Sequence, residues 1–246
     1  MRVLIIGRGN VAVNLDYAFR KQGVNVEMHS SREGLDSLPQ NADVCIYAVR
    51  DSALAAVVSQ VRMPARVLHL HTSGTMPLSV FGSDKPHAGI IYPFQTFSKE
   101  RLIEDFSSVP VFVEARGIDD VSAACSLALM ITPHVSEASQ HDRERLHAAG
   151  VLVNNFPNLL YTLARELLQT TRIPFSALLP LIDETAAKVH VLTPEEAQTG
   201  PARRNDKEVM EKHLSLLLTD EQREVYRLLS RCITNRYNTD KQKDIH

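Results

Sequence analysis

The opening residues, "MRVLIIGRGNVAVNLDYAFRK", narrow the possible folds more than anything that follows. The apolar run Val3–Ile6 stops at a glycine, and within four residues the pattern switches to helical periodicity. Gly7, Gly9 and Ala12 set G-x-G-x-x-A into that turn. The first glycine permits a tight strand-to-helix turn. The second allows close backbone approach, and the third small residue lets the helix pack on the strand. The amide N–H groups at such a helix start, aided by the helix dipole, form an anion-binding end.

The rhythm continues to about residue 117 through "NVEMHS", "DVCIYAV", "RVLHLHT", "HAGIIYP" and "VPVFVEA". These runs are continuous rather than alternating, as expected for strands covered on both faces of a parallel sheet. After "GIDDVSAACSLALMITPH" the pattern becomes helical. A long helix is expected over "SQHDRERLHAAGVLVNNFPNLLYTLARELLQTT", capped by Ser139 with Asp142 in its first turn and kinked at Pro157. Another is expected from Pro174, and a last one after a Thr219–Gln222 capping box. "HVSEA" is the one further strand candidate, and "YNTDKQKDIH" reads as a polar tail. The expected fold class is α/β: a Rossmann-type parallel sheet domain over residues 1–117, followed by an all-α domain over 118–246.

Composition excludes several function classes. A net charge of −2 offers no basic surface for nucleic acid. No apolar run reaches membrane-spanning length, and the start lacks the charged-then-apolar pattern of a secretory signal. Cys45, Cys125 and Cys232 are far apart and odd in number, as expected of reduced thiols in a cytoplasmic protein. No H-E-x-x-H or paired-cysteine spacing suggests a metal, and no G-x-S-x-G marks a hydrolase nucleophile.

The opening motif reads as a dinucleotide site, with Gly7, Arg8, Gly9, Asn10 and Val11 around a diphosphate. The second strand ends in "HSSRE", without the acidic residue that receives an NAD ribose. Ser30, Ser31 and Arg32 suit a 2′-phosphate instead, so NADP is the expected cofactor. The missing acid also argues against a methyltransferase. Ala48 and Val49, after the third strand, are expected beside the nicotinamide. After the fourth, in "LHLHTSGT", His71 is the candidate proton donor and Ser73 the partner of a substrate oxygen. Alternation puts His69 on the same face as His71. In the long helix Arg143, His147, Gly150, Asn154 and Asn158 form one polar stripe, from which Asn154 is the candidate orienting amide. Arg203 and Arg204, in "TGPARRND", can hold an anion or be solvated, whereas Lys188 reads as a surface partner of Glu184.

Taken in order, "GRGNVA", "AVRDSAL", "HTSGT", "YPFQTF", "HDRERLHAAGVLVNNFPNLLY" and "TGPARRND" resemble the bacterial Rossmann-like proteins with a C-terminal helical domain of unknown function. Members of that family are often labelled NADP oxidoreductases. In architecture it is similar to pyrroline-5-carboxylate reductase and ketopantoate reductase, with a helical domain like that of 6-phosphogluconate dehydrogenase. The resemblance implies a homodimer whose helical domain completes the active site. Arg204 and Asn205 stand where the pattern leads one to expect a glycine. The expected function is NADP(H)-dependent reduction of a small carbonyl or imine compound; the alternative is an NADP-binding sensor or interaction module without turnover.

Overall fold

Strand β1 (Arg2–Ile6) explains why its run is continuous. Val3 and Ile5 enter one buried cluster with Leu15, Phe19 and Ile46, while Leu4 and Ile6 enter another with Tyr47, Leu54 and Phe81. Both faces of the sheet are therefore covered. The computed structural model describes residues 1–238, with the side chains of Ser37 and Asn238 left aside. Residues 239–246, most of the expected polar tail, lie outside the described residues.

The chain divides into two compact units, Met1–Asn154 and the residues from Asn155 onward. In the first, β1 is followed by α1 (Asn10–Lys21), β2 (Asn25–His29), β3 (Val44–Tyr47), α2 (Asp51–Gln60), β4 (Leu68–His71) and β5 (Ala88–Pro93). Then come β6 (Val111–Ala115), α3 (Ile118–Leu129), β7 (Val135–Glu137) and α4 (Gln140–Gly150). The seven strands form one sheet in the order β2-β1-β3-β4-β5-β6-β7. All neighbours are parallel except β5 and β6. The expected Rossmann-type parallel sheet is thus present, with one antiparallel pairing at its β6 side. Between β5 and β6 lies only a loop with a 3₁₀ turn at Phe106–Ser108, whereas a parallel return is usually made by an α-helical crossover.

Register aligns one row across six strands. Ile6 pairs with His29 and Tyr47, Tyr47 with His71, His71 with Ile90, and Ile90 with Glu114. The row lies at the carboxyl ends of β1 to β4, the edge at which open α/β sheets bind ligands. Helix α3 packs on β5 and β6, and β7 pairs with β6, so both belong with the sheet although the sequence rhythm groups them with the helices.

The start of α4 is the expected one. Ser139 Oγ accepts the Asp142 N–H, and the Asp142 carboxylate accepts the Ser139 N–H, a reciprocal capping box. At Pro157 the helical run contains a π turn, Val151–Asn155, after which α5 (Phe156–Leu168) carries the proline in its first turn. Proline has no N–H for the Val153 carbonyl, and a π turn is one way to absorb that loss.

The second unit continues with α6 (Leu179–Lys188), α7 (Pro194–Ala197), α8 (Pro201–Arg204), α9 (Lys207–Leu216) and α10 (Asp220–Asn238). Pro174 caps a 3₁₀ turn, Phe175–Leu178, that leads into α6. At α10, Thr219 Oγ1 accepts the Gln222 N–H, but the Gln222 side chain accepts from Leu218, one residue earlier than a capping box requires. Gln222 also donates to Glu166 at 3.2 Å. Among the described residues of this unit only Ala202 and Gln222 are buried, while Leu181 and Val191 are 64% and 81% exposed.

Candidate active site

Gly7 takes φ +132°, and a Cβ there would stand 2.2 Å from the Ala48 carbonyl oxygen. Its N–H donates to the His29 carbonyl, and the Ala48 N–H donates to that of Ile6. The glycine thus draws the ends of β1, β2 and β3 together where the strand order reverses. Gly9 caps α1 in extended conformation, without a side-chain hydrogen bond and with no acidic residue in the first helical turn. No carboxylate of the helix's own first turn competes for those N–H groups, which suits an anion site. Ala12 is fully buried against the sheet.

The loop after β2 is polar. Ser30 Oγ accepts the Arg32 N–H at 3.3 Å, and Arg32 is exposed. Arg8 forms an exposed pair with Glu33 at 3.3 Å, so one guanidinium of this edge has a carboxylate partner. The turn's other flank is set by Asn14, fully buried on α1. Its amide donates to the Asn10 and Ser98 carbonyls, and its oxygen accepts the Ile103 N–H.

At the end of β4, His71 is fully buried and stacks on Phe81 with centroids 5.6 Å apart. Its Nδ1 accepts the Ser73 N–H at 3.2 Å, which places the ring proton on Nε2. That Nε2 has no hydrogen-bond partner among the described residues. Burial, reinforced by the Arg143 cation, lowers the His71 pKa to about 4, with the Pro77 carbonyl and Asp51 acting in the opposite direction. The imidazole is therefore neutral near pH 7, a weak donor rather than an imidazolium. Ser73 Oγ accepts the N–H groups of Thr75 and Met76 at 3.1 and 3.0 Å. The hydroxyl stabilises the turn, and its own proton faces Thr75 Oγ1 at 3.4 Å. Thr75 donates in turn to Asp51 at 2.6 Å.

His69 does share its face with His71. Its Nδ1 lies 2.8 Å from the Tyr47 hydroxyl, and burial brings its pKa to about 4.

Two pairs at this edge carry no local sequence signal. Arg143 on α4 is fully buried and donates from Nη2 to Glu114 at 2.7 Å, although 29 residues separate them. Tyr92 on β5 meets His147 Nδ1 through its hydroxyl at 3.0 Å. Gly74 makes room for that ring, since a Cβ there would lie 2.7 Å from Tyr92 Cζ. The i, i+4 spacing of Arg143 and His147 within the polar stripe was the available clue. Asn154 is exposed on the π turn and makes no hydrogen bond to His71 or Ser73. The structure thus joins His71 and Ser73 in one hydrogen-bonded turn.

Lys188 pairs with Glu184 at 4.0 Å, as its spacing implies. Arg203 donates to the Glu195, Glu196 and Gln198 carbonyls and lies over the Tyr237 ring, so it ties the α7–α8 turn. Asn205 adopts φ 56° at the end of α8, the left-handed conformation for which a glycine was expected. Among the described residues no three His, Cys, Asp or Glu side chains gather as metal ligands, and no helix is long and apolar enough to cross a membrane.

Residues 109–233 match the family described as a domain of unknown function, DUF2520. A protein from Bacteroides fragilis named as a candidate NADP oxidoreductase, BF3122, is 36% identical over 95% of this chain and 98% of its own, with a TM-score of 0.87. The chain belongs to the DUF2520 family. Protein TM1727 from Thermotoga maritima matches this DUF2520 chain at TM-score 0.71 and 16% identity, covering 97% of it and 99% of its own length. A reductive aminase from Aspergillus terreus, solved with NADPH and ethyl-5-oxohexanoate, matches at TM-score 0.65 and 10% identity, over 94% and 93% of the two chains. At such identities these two share the fold. No curated protein matches the chain.

Proposed function

We propose that this protein is an NADP(H)-dependent oxidoreductase that reduces a small carbonyl or imine compound. The observation that carries the reading is the Gly7 turn, pressed against Ala48 at the point where strand order reverses. The identity to BF3122, named for NADP, supports the same cofactor here. The α1 N-terminus fits a diphosphate, with Gly7, Arg8, Gly9, Asn10 and Val11 forming the turn around it. Ser30, Ser31 and Arg32 fit a 2′-phosphate, and Ala48 and Val49 border the route to the substrate end. When bound, NADPH supplies two electrons and a hydrogen as hydride to the carbonyl or imine carbon, becoming NADP⁺, while a proton reaches the oxygen or nitrogen.

The protein's own part is to bind, orient and manage that proton. His71 Nε2–H polarises the substrate oxygen as a neutral donor, and Ser73 adds a second hydrogen bond. Asn154 orients the far end of the bound pair. The exposed apolar residues of the second unit, Leu181 and Val191 among them, support a homodimer that would cover them.

A titration of the purified protein with NADPH and with NADH, followed by nicotinamide fluorescence, tests the reading. The chain has no tryptophan to interfere. Tight NADPH binding with much weaker NADH binding is expected, and binding of neither would end the oxidoreductase reading. Alanine at His71, Ser73 or Asn154 should lower turnover while cofactor binding persists. Unchanged function in all three would favour a sensor instead.

A further inference from the structure

Resting on that reading of the site, we propose that Arg143 holds a carboxylate of the substrate, so that the compound reduced is a small oxo acid or an imine derived from one. Arg143 has no exposed surface. Its guanidinium carries five N–H donors, of which only those on Nη2 find acceptors, Glu114 at 2.7 Å and the Met76 carbonyl at 3.5 Å. Nε and Nη1 are buried without a partner among the described residues. Native interiors leave few such groups unsatisfied, and a charged donor is the costliest to leave so.

Among the described residues the third buried polar side-chain atom without a partner is His71 Nε2. It sits on the same row of the sheet, since His71 pairs with Ile90 and Ile90 with Glu114, the residue that anchors Arg143. Ser73 beside it has its oxygen taken by two backbone N–H groups, and its proton has only the long contact to Thr75 Oγ1 at 3.4 Å, which a ligand oxygen can replace. This edge therefore presents unsatisfied donors, Arg143 Nε and Nη1 and His71 Nε2, beside the carboxylates of Glu114 and Asp51, each of which already holds a partner. An apolar ligand would leave those donors orphaned, and a cation would meet a guanidinium. An oxygen-rich ligand satisfies them, and a carboxylate gains most because its bonds to the guanidinium are charge-assisted. With the carboxylate at Arg143, the neighbouring carbonyl oxygen falls to His71 and Ser73, which matches the chemistry proposed above. Glu114, with 28% of its side chain exposed, is the internal rival for the same cation.

The test measures melting temperature with formate, acetate, pyruvate, 2-oxobutanoate and 2-oxoglutarate, each beside its neutral amide, with and without NADP⁺. At least one oxo acid should stabilise the protein and its amide should not. Arg143→Gln should weaken that acid at least tenfold while the NADPH titration stays as in the unaltered protein. Glu114→Gln, which keeps Arg143 and removes its rival, should tighten acid binding, and it serves if the arginine variant does not fold. Equal binding of acid and amide, retained binding in Arg143→Gln, no gain in Glu114→Gln, or no carboxylate effect at all would each overturn the proposal. Carboxylate binding that depends on Arg143 in a protein unable to bind NADPH would sustain this assignment and sink the reductase reading.

Discussion

Gly7 and Gly9 stand two residues apart in one turn, yet the structure assigns them separable jobs. Gly7 has φ +132°, and an added Cβ would lie 2.2 Å from the Ala48 oxygen and 2.9 Å from its carbonyl carbon. Alanine there takes on backbone strain of about 1–3 kcal/mol and must also push the end of β3 aside by about 1 Å. A loss of about 3 kcal/mol in stability is expected, against a total of about 5–15 kcal/mol for a typical domain. Gly9 has φ −80° and ψ −178°, and the nearest heavy atom to an added Cβ is 4.0 Å away. Alanine at Gly9 should leave the free protein within about 0.5 kcal/mol of its original stability. It should nonetheless raise the NADPH dissociation constant at least tenfold, about 1.4 kcal/mol, because the methyl group takes the space of the approaching diphosphate. Urea denaturation of both free variants, followed by fluorescence titration with NADPH, separates the effects. If Gly9→Ala binds NADPH as well as the original, the diphosphate does not rest on this turn. If Gly7→Ala is as stable as the original, the strain argument fails.

Two further outcomes are expected. His69 and His71 are both lowered to about 4 by burial, so between about pH 4 and 6.5 the unfolded chain binds protons that the folded protein does not. Stability should be full above pH 6.5 and fall on acidification by about 1.4 kcal/mol per pH unit for each histidine. Urea melts at pH 7, 6 and 5 read that slope, and a flat profile would show that neither ring is held neutral by its burial. In the second unit, lysine at both Leu181 and Val191 should shift the particle from dimer to monomer in light scattering and lower its melting temperature. A protein that is monomeric at all concentrations before substitution would remove the dimer.

Much of this was legible in the sequence because it depends on neighbours along the chain. The six apolar runs became β1 to β6, and the Ser139 cap formed with Asp142 as its spacing implied. Pro157 announced a disturbance without stating its kind, since a kink and a π turn both answer the loss of one N–H. What the sequence hid depends on distance. Nothing near Asn14 predicts that its amide will hold Ser98 and Ile103. Nothing near Glu114 predicts that it will meet Arg143. The polar stripe on α4 and beyond was visible, but which members are buried was decided by the sheet beneath. Arg143 is enclosed, while His147 and Asn154 are exposed.

The reversal at β6 has a consequence for where the chain travels next. Arg143 meets Glu114 at the level of Ile90, His147 meets Tyr92, and Gly150 lies against Phe94. Helix α4 therefore climbs beside β5 in the direction that β5 itself runs. It can do so because β6 and β7 point the other way and deliver the chain to the lower edge of the sheet. Strand direction acts here as a parity. Had β6 and β7 run with the rest, the chain after β7 would have begun at the upper edge, and a helix of this length would have carried it away from His71. The one antiparallel pairing decides that residues 151–154 emerge at the edge where β4 ends at His71.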